Sequence, residues 1–99
     1  MIVHSVIFKL KYPKDSEAEA HFLAAAMQLV NIPGVLNFQA FRQTSKKNKF
    51  DYGLSMEFES TATYNAYSQH PDHAAFIKRF WVDGVADFLE IDYEPLSMI

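Results

Sequence analysis

The stretch IVHSVIFKLKYPKDSEAEAHFLAAAMQLVN, residues 2–31, changes its hydrophobic period halfway along, and that change sets the fold. As far as Lys11 the period is two: Ile2, His4, Val6, Phe8 and Leu10 share one face of a strand, and Val3, Ser5, Ile7, Lys9 and Lys11 share the other. A histidine therefore sits on the more apolar face. After YPKD, Ser16 and Glu19 stand three residues apart in a capping box, and Phe22, Ala26, Leu29 and Val30 form a helical stripe. IPG, residues 32–34, ends the helix.

Working outward, VLNFQAFRQ (35–43) predicts a second strand with Leu36, Phe38 and Ala40 on one face and Val35 and Phe41 on the other. DYGLSMEFE (51–59) predicts a third, with Tyr52, Leu54, Met56 and Phe58 together, joined to the second by a hairpin loop rich in Lys and Asn. STATYNAYSQ (60–69) starts a second helix at a Ser60 or Thr61 cap, and HPDHAAFIKRFWVDG (70–84) restarts it after a break. DFLEIDYEP (87–95) predicts the last strand, with Leu89, Ile91 and Tyr93 facing in. The order is β-α-β-β-α-β with a split second helix. This is an α+β, ferredoxin-like plan in which helices cover one face of a four-stranded antiparallel sheet. The other face, carrying Val3, Ile7, Val35, Phe41 and Phe88, is more apolar than a wet sheet surface, so a second copy is expected to cover it. Two such sheets face to face would make a barrel-like homodimer.

At 99 residues, 49% of them hydrophobic, residues 1–99 are expected to fold as one domain. The absence of cysteine excludes disulfides and thiolate chemistry and is compatible with a reducing compartment. The opening apolar run is too short to span a membrane and lacks a small-residue cleavage site, so a cytoplasmic protein with no membrane partner is expected. A net charge of −3 argues against nucleic-acid binding, and Lys46, Lys47 and Lys49 read as a solvated loop. Asp83, Asp87, Glu90, Asp92 and Glu94 read as one wet strand face.

The chemistry concentrates in YSQHPDHAAF, residues 67–76. Pro71 disfavours helix at His70, which becomes a cap, and puts His73 at the third position of the next helix. His4 projects from the sheet face on which that helix packs. A metal set of His4, His70 and His73 is disfavoured, because the proline breaks the helix between the last two and no acidic or thiol partner stands at ligand spacing. Acid/base chemistry suits the same residues: a histidine takes a proton near neutral pH while the Tyr67 hydroxyl supports a developing oxyanion. The other reading makes His4 a satisfied core histidine and His70 no more than a cap. Tyr52, Tyr64, His70 and Trp81 are candidate pocket-lining residues, and no cofactor is expected.

HSVIFKLK, NIPGVLNF, FDYGLSMEFES, YSQHPDHAAF and IDYEP together resemble the stress-responsive α/β-barrel (Dabb) domain family over nearly the whole chain. The resemblance implies a dimeric α/β barrel without an obligatory organic cofactor. One member is a plant polyketide cyclase whose working histidine and tyrosine would correspond to His73 and Tyr67, with a supporting histidine at His4. Where that cyclase has a histidine on its third strand, this chain has Tyr52, so its substrate does not carry over. The implied activity is cofactor-free proton transfer on a small apolar carbonyl compound. The alternative is a non-enzymatic, stress-associated dimer or a binder of a small hydrophobic ligand.

Overall fold

The computed structural model describes residues 1–97, in which β1 (Ile2–Leu10) is followed by α1 (Glu17–Met27), β2 (Leu36–Arg42) and β3 (Tyr52–Phe58). Then come α2 (Thr61–Gln69), α3 (Pro71–Phe76), a π turn (Ile77–Trp81), the short α4 (Val82–Gly84) and β4 (Val85–Tyr93). All strand pairs are antiparallel, in the order β2-β3-β1-β4, so the two hairpin partners β2 and β3 lie to one side of β1 and β4 to the other. This is the expected ferredoxin-like plan, split second helix included.

The period-two reading of β1 and β3 holds. His4, Val6, Phe8 and Leu10 are buried against the helices with Tyr52, Leu54, Met56 and Phe58, and β1 pairs with β3 so that His4 faces Met56 and Phe8 faces Tyr52. From α1 the core receives Phe22 and Ala26, and from the following turn Leu29; Val30, expected in the same stripe, is exposed. A short 3-10 turn over Gln28–Asn31 tightens the helix end and rotates Val30 away from the sheet. Ser16 Oγ accepts from the Glu19 amide as predicted, while the Glu19 carboxylate reaches back to the Asp15 amide.

Two facing assignments are corrected. On β2, Leu36 pairs with Glu57 and Gln39 with Ser55, so two residues of β2, Asn37 and Phe38, stand opposite one of β3, Met56. The extra residue is taken up at Asn37, whose φ of 47° lies in the left-handed region that asparagine tolerates. Leu36 therefore faces away from the helices, while Phe38 still packs on the core and Val35, expected on the outer face, packs on it too. On β4 the register sets Phe88 opposite Phe8, Glu90 opposite Val6 and Asp92 opposite His4. These three share the helix-covered face. Leu89, Ile91 and Tyr93, expected to face in, lie with Val3, Ser5 and Ile7 on the outer face, and Phe88 moves the other way. The outer face thus carries Val3, Ile7, Leu36, Phe41, Leu89, Ile91 and Tyr93, of which Phe41 and Tyr93 are more than half exposed. Among the described residues, no helix is long and apolar enough to cross a membrane.

Candidate active site

The break between α2 and α3 is where the site is built. His70 has φ −64° and ψ 139°, an extended residue between two helices, as Pro71 requires. It closes α2 through its amide, which donates to the Tyr67 carbonyl, and opens α3 through its ring, whose Nδ1 accepts from the Asp72 amide at 3.1 Å. The ring is committed to capping and does not line the cavity described below. One turn into α3, His73 Nδ1 lies 3.1 Å from the Ser68 carbonyl oxygen. A carbonyl only accepts, so Nδ1 carries the proton and Nε2 keeps its lone pair. Burial pushes the His73 pKa below its ordinary value, opposed by the Ser68 hydrogen bond and reinforced by His4, so the ring is neutral at neutral pH.

Opposite this corner stands His4, buried at the centre of the sheet. Its Nδ1 lies 2.6 Å from Asp92 Oδ1, and the Tyr64 hydroxyl donates to Asp92 Oδ2 at 2.8 Å. The carboxylate accepts both bonds. His4 Nδ1 is thereby a protonated nitrogen, with the Tyr64 oxygen 2.9 Å away as a second acceptor. Burial and then the Asp92 hydrogen bond raise the Tyr64 pKa, keeping its hydroxyl a donor.

Between the two histidines, the Tyr67 ring lies 4.8 Å from that of His73 and 6.3 Å from that of His4, centroid to centroid. Its side chain is packed on Phe58, and only 2% of the residue is exposed. The hydroxyl has no hydrogen-bond partner among the described residues and is not a sealed orphan atom, and Tyr67 is one of the residues that line the cavity. Burial above all, with help from Glu90, raises its pKa, so it is a neutral donor.

His4, Tyr67 and His73 line one cavity of about 360 Å³ between the sheet and the α2–α3 layer. Its remaining walls are mostly apolar, from Val6, Leu54 and Met56 on the sheet and Leu29, Phe76, Ile77 and Trp81 on the helical side. The π turn matters here: Val82 N–H donates to the Ile77 carbonyl five residues back, and the widened turn presents both Ile77 and Trp81 to the cavity. Phe88 and Glu90 complete the lining from the edge strand β4, and as its exposed members they mark the mouth.

Of the residues singled out in the sequence, the structure therefore brings His4, Tyr67, His73 and Trp81 to one cavity. Tyr64 belongs to the site through its bonds to His4 and Asp92, not as a wall. Tyr52 does not: it sits beside Phe8, four residues along β3 from the level of His4, about 13 Å at the strand rise, and lines a separate groove against α1 and β2. Asp92 and Glu90 were missed as site residues because β4 was read with the opposite facing; pairing β4 in register with β1 recovers both. The His4, His70 and His73 metal set, disfavoured from the sequence, is not assembled among the described residues. Glu90, Asp92 and His4 do offer ligand atoms within 4.8 Å of one another, a cluster able to approach a cation if the His4–Asp92 bond opens.

The comparisons agree with this architecture. A crystal structure from Mesorhizobium loti, a Dabb family protein with a ferredoxin-like fold, superposes with a TM-score of 0.94 at 46% identity, over 97% of each chain. A dimeric ferredoxin-like protein of unknown function from Thermobifida fusca matches with a TM-score of 0.77 at 19% identity, over 93% of this chain and 88% of that one. The hydroxynitrile lyase of Passiflora edulis shares the fold with a TM-score of 0.84 at 16% identity, over 99% of this chain and 95% of the other. No curated protein sequence matches the chain. Residues 2–95 match the Stress responsive A/B Barrel Domain, and with that match added to the fold and the relative from Mesorhizobium loti, the chain belongs to the Dabb family.

Proposed function

We propose that the cavity carries out cofactor-free proton transfer on a small, largely apolar carbonyl compound. His73 Nε2 takes a proton from the carbon next to the carbonyl, and the Tyr67 hydroxyl donates a hydrogen bond to the enolate oxygen that forms. His4, held by Asp92 and Tyr64, orients the bound carbonyl or relays the proton to its new position. The carrying observation is that His73, whose Nδ1 is committed to the Ser68 carbonyl, and Tyr67, whose hydroxyl has no hydrogen-bond partner among the described residues, line one largely apolar cavity. That pairing supplies a base and an oxyanion donor with no redox or Lewis-acid step. The hydroxynitrile lyase relative supports this reading only to the extent that the fold accommodates a lyase.

The outer sheet face supports a second part of the proposal, a homodimer with that face as its seam; the Thermobifida fusca protein that shares the fold is dimeric. Residues 1–99 then act as one domain per subunit. The catalytic reading is tested by following α-deuterium incorporation into 1-phenylbutane-1,3-dione in D2O. The wild-type chain accelerates exchange above the buffer rate, and His73→Ala and Tyr67→Phe each remove most of the acceleration, about 10²-fold or more. Equal exchange by all three chains returns the fold to the non-enzymatic reading, a binder of small hydrophobic ligands.

A further inference from the structure

Glu90 is not used by that mechanism. It is a carboxylate on the helix-covered face of β4, opposite Val6, at the mouth of an otherwise apolar cavity. Among the described residues it has no hydrogen-bond or ion-pair partner: the lysine bridges go to Asp51 and Asp87. One of its oxygens lies within 4.8 Å of an oxygen of Asp92 and a nitrogen of His4, so two carboxylates flank the same end of the cavity. No lysine or arginine is among the residues lining it. Beside Glu90, two positions back on the same face, Phe88 packs edge-on against Trp81 with ring centroids 5.5 Å apart, and the Tyr67 ring with its free hydroxyl lies deeper in. An unpaired carboxylate next to aromatic faces is the arrangement that recognises an organic cation, through charge and through the ring quadrupoles together.

We propose that the cavity selects a small aromatic or alkyl compound bearing a protonated amine, with Glu90 as the counter-ion at the mouth and the Trp81 and Phe88 rings beside it. The inference rests on the cavity being a ligand site, as the proposed function holds, and narrows the substrate class to amine-bearing carbonyl compounds while disfavouring carboxylic acids and other anions. A carboxylate entering the same mouth meets Glu90 and Asp92 with nothing to neutralise it.

The test is equilibrium binding by calorimetry, with Trp81 fluorescence as a second readout, to three probes of similar size: 2-phenylethylamine, 3-phenylpropan-1-ol and 3-phenylpropanoate. The amine binds about tenfold tighter than the alcohol, as expected for a partly exposed cation site, and the acid binds weakest. Glu90→Gln, on an exposed strand edge, folds normally and brings the amine down to the affinity of the alcohol. Equal affinities, tighter binding of the acid, no binding of any probe at millimolar concentration, or an amine preference that survives Glu90→Gln each overturn the proposal. Amine selectivity in a chain that shows no proton exchange would leave the inference standing and remove the catalytic reading, so the two fail separately.

Discussion

Replacing Asp92 by asparagine tests the site at its electrostatic anchor. Both carboxylate oxygens are engaged, one with His4 Nδ1–H at 2.6 Å and one with the Tyr64 hydroxyl at 2.8 Å. An amide has one accepting oxygen and one donating nitrogen, so it cannot accept both bonds. If the oxygen stays with Tyr64, the amide NH2 faces His4 Nδ1, which must then accept, and the ring proton moves to Nε2, the nitrogen left for the cavity. If the amide turns round, Tyr64 loses its acceptor. Each bond to a charged group is worth roughly 1.5–3 kcal/mol against about 1 for a neutral one. The Asp92 side chain is 37% exposed, which discounts the difference, so a total loss of about 1–2 kcal/mol in stability is expected. The loss in exchange rate is larger, about 10²-fold, because the tautomer of a working imidazole is at stake. Long-range 15N–1H spectra of histidine-labelled protein read the tautomers directly. In the wild type His4 Nδ1 carries a proton; in Asp92→Asn the population moves toward a ring with a bare Nδ1 and a protonated Nε2. A wild-type His4 with a bare Nδ1, or an Asp92→Asn chain whose His4 signals do not change, would rule out this arrangement.

Other consequences follow from particular contacts. Because burial depresses the His73 pKa below 6.5, the acid limb of kcat/KM for proton exchange falls below pH 6.5, and an acid limb above that value contradicts the assignment of His73 as the base. The same depression means the unfolded chain binds the proton more readily. The His73 contribution to stability is therefore complete above pH 6.5 and is lost as pH falls through the lower folded value, which chemical denaturation across this window measures against His73→Ala. Leu89→Lys puts a charge on the outer sheet face, on the edge strand beside Ile7 of β1, at a cost of several kcal/mol per dimer, so light scattering should find monomers at micromolar concentration, with the cavity still able to bind its probes. Gly34 has φ +92°, and a Cβ there would stand 2.5 Å from Thr63 Cγ2, so Gly34→Ala should lower stability by about 1–3 kcal/mol in thermal melts.

What could be read from the chain, and what could not, has a physical basis. β1 and β3 lie at the centre of the sheet, and their alternation of apolar and polar residues identified the buried face without a register. The His70–Pro71 break was legible because proline restricts the residue before it wherever it occurs. β4 misled because the rule that places apolar residues inward assumes a single buried face. Here Leu89, Ile91 and Tyr93 form an apolar outer surface, while the inner face of the strand carries Glu90 and Asp92, which serve the cavity and not the core. On β2, one residue in the left-handed region at Asn37 was enough to reverse Leu36, and a bulge of this kind has no periodic signature. Tyr52 was placed in the pocket from its aromatic character and from the family resemblance, whereas strand rise puts it well away from His4.

If His73 Nε2 and the Tyr67 hydroxyl act together on one bound molecule inside a single subunit, a crystal structure of the chain with 1-phenylbutane-1,3-dione will have a carbonyl oxygen within hydrogen-bond distance of the Tyr67 hydroxyl and the carbon between the two carbonyls facing His73 Nε2, with the phenyl ring among Met56, Phe76 and Trp81. A diketone seated elsewhere, or a cavity closed by its own side chains with the three rings packed apart, would contradict it.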